Sequence, residues 1–188
     1  MIIHLLRHGM TEANERRLYC GSTDMPLSRR GLAELLLLKK EGIYPTCKKY
    51  VTGTLMRAIE TLDVLYGQSP DLTMAEFNEY DFGAFEMKSH DELATNPDYL
   101  RWIQGDENVF CPRGESKKTF ADRISSGFTR LCRLETESVL LVCHGGVIAS
   151  LMEMLFPNQK RHYFEWLPLH GRGYTIDKAD KLPVYKPL

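Results

Sequence analysis

Ser138-Val139-Leu140-Leu141-Val142-Cys143-His144-Gly145-Gly146 is the stretch that decides the fold. Its unbroken apolar run reads as a strand buried on both faces, which is the habit of parallel sheets covered by helices. The glycine pair then opens an apolar helix, Val147 to Phe156, and a histidine stands at the junction. In open parallel sheets ligands bind at this carboxyl edge of the strands. Glycine lets a backbone approach a ligand closely, and a helix start presents unpaired N–H groups and the positive end of a dipole. The junction is therefore a candidate phosphate seat.

Working outward, the same alternation recurs. Ile2 to Leu6 reads as a buried strand that meets charge at Arg7 and glycine at Gly9. Ser28 caps a helix from Arg29 to Lys40, closed by Gly42, and a second strand follows near Tyr50 to Thr52. Thr54 to Tyr66 carries Leu55, Ile59, Leu62 and Leu65 at helical spacing before Gly67, and Leu72 to Ala75 is a further short strand. Ser116 to Leu134 places Phe120, Ile124, Phe128 and Leu131 on one helical face. After Pro168 the pattern changes to a strand, Tyr174 to Asp177, a polar turn and an extended piece around Val184, read as an edge hairpin. These elements predict an α/β fold: a three-layer sandwich with a mostly parallel central sheet and helices on both faces. No linker divides residues 1–188, so one domain is expected, with a long helical excursion at about 87–112.

Composition narrows the function. The chain has 188 residues, 43% hydrophobic and 26% charged, with a formal net charge of -1. Such a balance offers no global attraction to nucleic acid or to an anionic membrane, so any anion must be held locally. No apolar run approaches the roughly 20 residues that span a bilayer. The N-terminus shows no basic leader with a long apolar stretch behind it, and a cytoplasmic protein is expected. The five cysteines are scattered without a C-x-x-C pair, which argues against a disulfide framework and a cysteine-rich zinc site.

Arg7-His8-Gly9 ends the first strand as His144-Gly145-Gly146 ends the fourth, so two histidines can face one pocket from neighbouring sheet edges. His4, on the same strand as His8, reads as structural. Arg57 follows the second strand through the turn Thr52-Gly53-Thr54, and both Arg7 and Arg57 offer forked guanidinium donors to phosphate oxygens. A cysteine-based phosphatase would need an arginine six positions beyond its cysteine; Cys143, beside His144, has Ala149 there and reads as a core residue.

In order along the chain, Arg7-His8-Gly9-Met10-Thr11-Glu12-Ala13-Asn14, Gly21-Ser22-Thr23-Asp24-Met25-Pro26-Leu27-Ser28, Leu55-Met56-Arg57-Ala58, Asn78 to Glu86, Gly114-Glu115-Ser116 and His144-Gly145-Gly146 resemble the motifs of the histidine phosphatase superfamily, in its phosphoglycerate mutase-like branch. The resemblance implies that His8 is the nucleophile. It implies that Arg7, Arg57 and His144 spread positive charge over the phosphoryl oxygens, with Asn14, Gly21, Ser22, Thr23 and the Gly145 amide as substrate-binding groups. Glu79 would protonate the leaving alkoxide and later activate water. No metal and no cofactor are implied, and the partner is a small phosphate ester, with the oligomeric state left open. Met10 stands where the family commonly has an acidic residue, and Met87 where the acid segment often ends in glycine.

The motifs leave two reactions open, since hydrolysis and a mutase's internal phosphoryl transfer use the same pocket. The short interval between Glu79 and His144, and Thr11 with Ala13, resemble the family's phosphatases, and the segment Asn78 to Met87 resembles its alpha-ribazole phosphatases. A noncatalytic phosphate-binding protein would have lost chemical residues, and none is lost. Arg16, Tyr19, Tyr99, Arg101 and Trp102 are read as the pocket rim.

Overall fold

The computed structural model describes residues 1–178 and 183–188; the polar turn expected before Val184 falls on 179–182, outside the described residues. Six strands form one sheet: β1 (Ile2–Arg7), β2 (Lys49–Thr52), β3 (Leu72–Thr73), β4 (Ser138–Cys143), β5 (Gly173–Asp177) and β6 (Val184–Pro187). The strand order is β3-β2-β4-β1-β5-β6. β3, β2, β4 and β1 pair in parallel, while β5 runs antiparallel to β1 and forms a hairpin with the edge strand β6.

Around the sheet lie α1 (Glu12–Glu15), α2 (Arg29–Lys40), α3 (Met56–Tyr66), α4 (His90–Leu93), α5 (Pro97–Ile103), α6 (Lys117–Leu131) and α7 (Gly145–Leu155). Side-chain alternation in β4 serves both layers. Val139, Leu141 and Cys143 join Ile124, Phe128, Ile148 and Leu151 of α6 and α7, while Leu140 and Val142 join Leu35, Ala58 and Leu62 of α2 and α3. All five strand residues are fully buried. Parallel pairing brings the ends of β1, β2 and β4 to a single edge, with Arg7 in register with Cys143 and Thr52 with Val142. His8, Gly53 and His144 are therefore neighbours because of strand register. Among the described residues no helix is long and apolar enough to cross a membrane.

Several boundaries differ from expectation. α7 starts at Gly145 rather than Val147, so the glycine pair forms its first turn. α3 starts at Met56 rather than Thr54; its N-cap, Leu55, has no capping side chain, and Asp24 Oδ1 accepts the Met56 N–H at 2.7 Å instead. α6 ends at Leu131, and β3 stops at Thr73 before a 3-10 turn, Ala75–Phe77. The excursion at 87–112 contains two short helices, α4 and α5, broken by Asn96, which caps α5 ahead of Pro97.

Candidate active site

His8 is buried, and its Nδ1 lies 2.6 Å from the Gly9 carbonyl oxygen. A carbonyl only accepts, so Nδ1 carries the proton and the neutral ring keeps its lone pair on Nε2. Gly9 is itself held by Thr61 of α3, whose hydroxyl accepts the Gly9 N–H at 2.9 Å. Burial holds the His8 pKa well below the usual histidine value, reinforced by His144 and Arg57. The result is a neutral imidazole with one nitrogen free to attack.

His144 has the opposite tautomer. Arg57 Nε donates to its Nδ1 at 3.3 Å, so in the neutral ring the proton sits on Nε2. That Nε2 is buried and has no hydrogen-bond partner among the described residues. The two rings meet edge to face, centroids 5.0 Å apart. One histidine thus offers a lone pair and its neighbour a donor, the complementary pair needed at a phosphorus atom and one of its oxygens. Burial and then Arg57 push the His144 pKa well below its usual value.

Arg57 is 1% exposed and fixed on three sides. Besides His144, its NH1 and NH2 donate to the carbonyls of Thr23 and Gly21 at 2.9 and 2.7 Å. The loop providing those carbonyls is held in turn by Glu86. One carboxylate accepts the N–H groups of Gly21, Ser22, Thr23 and Phe82 at 3.0–3.2 Å and the Thr23 hydroxyl at 2.6 Å. Gly21, Ser22 and Thr23 thus direct their amides to Glu86, and the structure ties them to the seat through Arg57. Arg7 donates through NH1 to Pro168 O at 2.8 Å, while its Nε is buried without a partner among the described residues. Asn14 has its side-chain oxygen committed to Thr11, which leaves its amide nitrogen as the donor available to a ligand.

Both glycines after His144 are closely approached by side chains, and a Cβ at Gly146 would displace the Glu79 carboxylate. An ideal Cβ on Gly145 would lie 3.1 Å from Arg7 Cζ, and one on Gly146 would lie 2.3 Å from Glu79 Oε1. Glu79 sits at the N-terminus of α7, where Oε2 accepts the Gly146 N–H at 2.9 Å and Oε1 that of Tyr80 at 2.9 Å. Its backbone is pinned by Arg123 of α6, which donates to the carbonyls of Glu76, Asn78 and Glu79 and pairs through both forks with Glu115. Of the expected rim residues, Tyr19 and Trp102 border the pocket, whereas Tyr99 is buried and Arg101 pairs with Asp98 on the surface. Arg16 does not border it.

Three contributors escape the motifs: Arg123, Thr61 and His170. His170 stands before β5, 5.4 Å from the His8 ring, and donates from Nδ1 to the His8 carbonyl at 3.0 Å. Burial, then Arg7, lower its pKa to about 4. Its one sequence signal is its place just ahead of a strand that pairs with β1. Despite these three histidines, no group of three or more His, Cys, Asp or Glu among the described residues is arranged to hold a metal ion.

Neutral buried histidines make stability pH-dependent. The folded values of His8, His144 and His170 lie below the roughly 6.5 of an unfolded histidine, so between those values the unfolded chain binds more protons. The contribution of these rings is fully present above about pH 6.5 and is lost as pH drops, by up to about 1.4 kcal/mol per unit for each ring that stays neutral. Thermal melts should show Tm falling progressively from pH 7 to 5. A Tm that is level across that interval contradicts the assignment of neutral rings.

The chain matches the histidine phosphatase superfamily (branch 1) over residues 3–177. It is 32% identical to an adenosylcobalamin/alpha-ribazole phosphatase of Salmonella typhimurium, an alignment covering 100% of this chain and 96% of that protein. The crystal structure of the alpha-ribazole phosphatase from Shigella flexneri superposes with a TM-score of 0.88 at 26% identity, covering 100% of this chain and 96% of the other. A phosphoglycerate mutase from Thermus thermophilus superposes with a TM-score of 0.75 at 29% identity, covering 100% and 99%. Two sheet-edge histidines of opposite tautomer, two guanidinium groups and a carboxylate at a helix start agree with that match: the chain belongs to the histidine phosphatase superfamily, branch 1, and is a phosphatase.

Proposed function

We propose that the protein hydrolyses alpha-ribazole phosphate through a phosphohistidine formed on His8. The carrying observation is the pairing of tautomers, with the His8 lone pair on Nε2 and the His144 proton on Nε2. In the first step His8 Nε2 bonds to phosphorus as the ester P–O bond breaks, and Glu79 gives its proton to the departing alkoxide. Arg7 Nε, Arg57 and His144 Nε2 donate to the phosphoryl oxygens, stabilising the charge that spreads over them. In the second step the Glu79 carboxylate takes a proton from water as the water oxygen bonds to phosphorus. The N–P bond breaks, inorganic phosphate leaves and His8 is restored.

A mutase uses the same first step and then returns the phosphoryl group to a second oxygen of a polyanionic intermediate. Around the space next to Glu79, Lys118 is paired with Asp122 at 2.8 Å, and Glu107 and Glu153 border the same cavity. Lys117 borders it too, so cations and carboxylates are mixed there with no net attraction for further anionic groups, which favours hydrolysis. In excess EDTA the protein should release inorganic phosphate from alpha-ribazole phosphate and leave 3-phosphoglycerate unisomerised. Isomerisation without phosphate release, or a strict need for added divalent metal, contradicts this reading.

A further inference from the structure

Apart from the cavity beside Glu79, a recess of about 300 Å³ lies against the sheet where β1, β5 and β6 run side by side. His4 borders it, four residues before His8 and so about 13 Å along the strand from the phosphate seat. On this face Leu6, Leu140 and Val142 pack beneath α2 and α3. Strand register carries the row outward from Leu140 on β4 to His4, then to Thr175 on β5 and Lys186 on β6. Directly paired residues share a face, so an apolar row turns polar at His4.

Burial makes that change informative. His4 is 9% and Thr175 8% exposed, so neither is a solvated surface residue. His4 Nδ1 and Thr175 Oγ1 share a hydrogen bond of 2.9 Å, and His4 Nε2 has no partner among the described residues. A hydroxyl both donates and accepts, so either tautomer satisfies this bond. When Thr175 donates to Nδ1, the proton of the neutral ring sits on Nε2 and is offered to a ligand. An accepting ligand selects that tautomer.

The charge comes from Lys186, which borders the recess and has no ion-pair partner among the described residues. Burial, then Lys186, lower the His4 pKa, so the ring is neutral at pH 7 and donates without adding charge. The other walls are apolar: Ile43 and Pro45 from the loop after α2, and Pro187 and Leu188 at the end of β6. One ammonium, one imidazole N–H and hydrocarbon walls complement a singly charged carboxylate on a short apolar body. At the roughly 30 Å³ of a water molecule in the liquid, the recess holds about ten heavy atoms. A phosphate dianion finds one lysine here and no second cation. We propose that this recess is a second small-molecule site, which takes a monocarboxylate with its charged end between His4 Nε2 and Lys186 Nζ.

The test is a titration of the full chain, ¹³C-labelled at histidine, with phenylacetate, followed by NMR. The His4 ring signal, identified by its loss in His4→Gln, should shift with a Kd of about a millimolar, as a ligand of about ten heavy atoms allows. The His8 and His144 signals should stay in place. 2-Phenylethanol, the same body without the charge, should bind roughly tenfold more weakly, and Lys186→Gln, at an exposed position, should weaken phenylacetate by a similar factor, the scale of one charge-assisted hydrogen bond. A His4 signal that does not move, equal affinity for 2-phenylethanol, or an affinity unchanged in Lys186→Gln overturns the proposal. So does a shift confined to His8 and His144, which puts the carboxylate in the phosphate seat.

Discussion

Replacing His8 with alanine lowers kcat/KM for phosphate-ester hydrolysis by roughly 10⁴- to 10⁶-fold, the scale of losing a covalent nucleophile that acts as a unit with its neighbours. The structure explains why no other group substitutes for it. His144 faces the same seat, but Arg57 donates to its Nδ1, so its remaining nitrogen carries a proton in the neutral ring. His170 has its Nδ1 committed to the His8 carbonyl oxygen. Cys143 is fully buried, with its pKa raised by burial, and remains an uncharged thiol. Residual turnover within tenfold of wild type, with Tm and far-UV CD unchanged, contradicts the assignment of His8.

The second large effect is expected at Arg57. Arg57→Lys keeps the charge but cannot reproduce three bonds that fan from one planar group to Gly21 O, Thr23 O and His144 Nδ1. The carbonyls of Gly21 and Thr23 lose their donor, and His144 loses the bond that sets its tautomer. Loss of one such preorganised donor typically costs about 10²- to 10³-fold in kcat, and the charge on the phosphoryl oxygens shifts most in the transition state. Steady-state kinetics should therefore show the change chiefly in kcat, with a smaller rise in KM. A kcat within threefold of wild type shows that charge alone suffices and that the fan of bonds is dispensable.

The sheet was legible because its signals are local. Val139 to Cys143 is apolar on both faces, and Gly42 and Gly67 end helices in the left-handed conformation at φ of 68° and 67°. The placement of His8 beside His144 also followed from sequence, since strand ends in a parallel sheet share an edge. What stayed hidden is long-range support. Glu86 organises the loop at 21–23 from more than sixty residues away, and Arg123 pins Glu79 from another helix. Neither leaves a periodic or spaced pattern. Within the helical excursion the aromatic residues could serve either as rim or as core, and the two roles are divided: Trp102 borders the cavity beside Glu79 and Tyr99 is core.

Met87 shows how a departure from family pattern reads once the backbone is seen. It stands where glycine is frequent, and its φ is 58°, the left-handed region that favours glycine. The main chain there donates from Met87 N to Tyr19 O at 2.7 Å, closing the loop that brings Tyr19 to the cavity. Conformation is kept and methionine tolerates it, at a cost of about 1 kcal/mol.

The most direct test is to trap the intermediate. Wild-type protein mixed with a ³²P-labelled phosphate monoester in excess EDTA, quenched in alkali within milliseconds and digested, should give one labelled peptide. The label should sit on His8, survive alkali and be lost in acid, as a phosphoramidate is. It should also be absent from His8→Ala. Turnover without any labelled protein, or an acid-stable label on another residue, contradicts a phosphohistidine route.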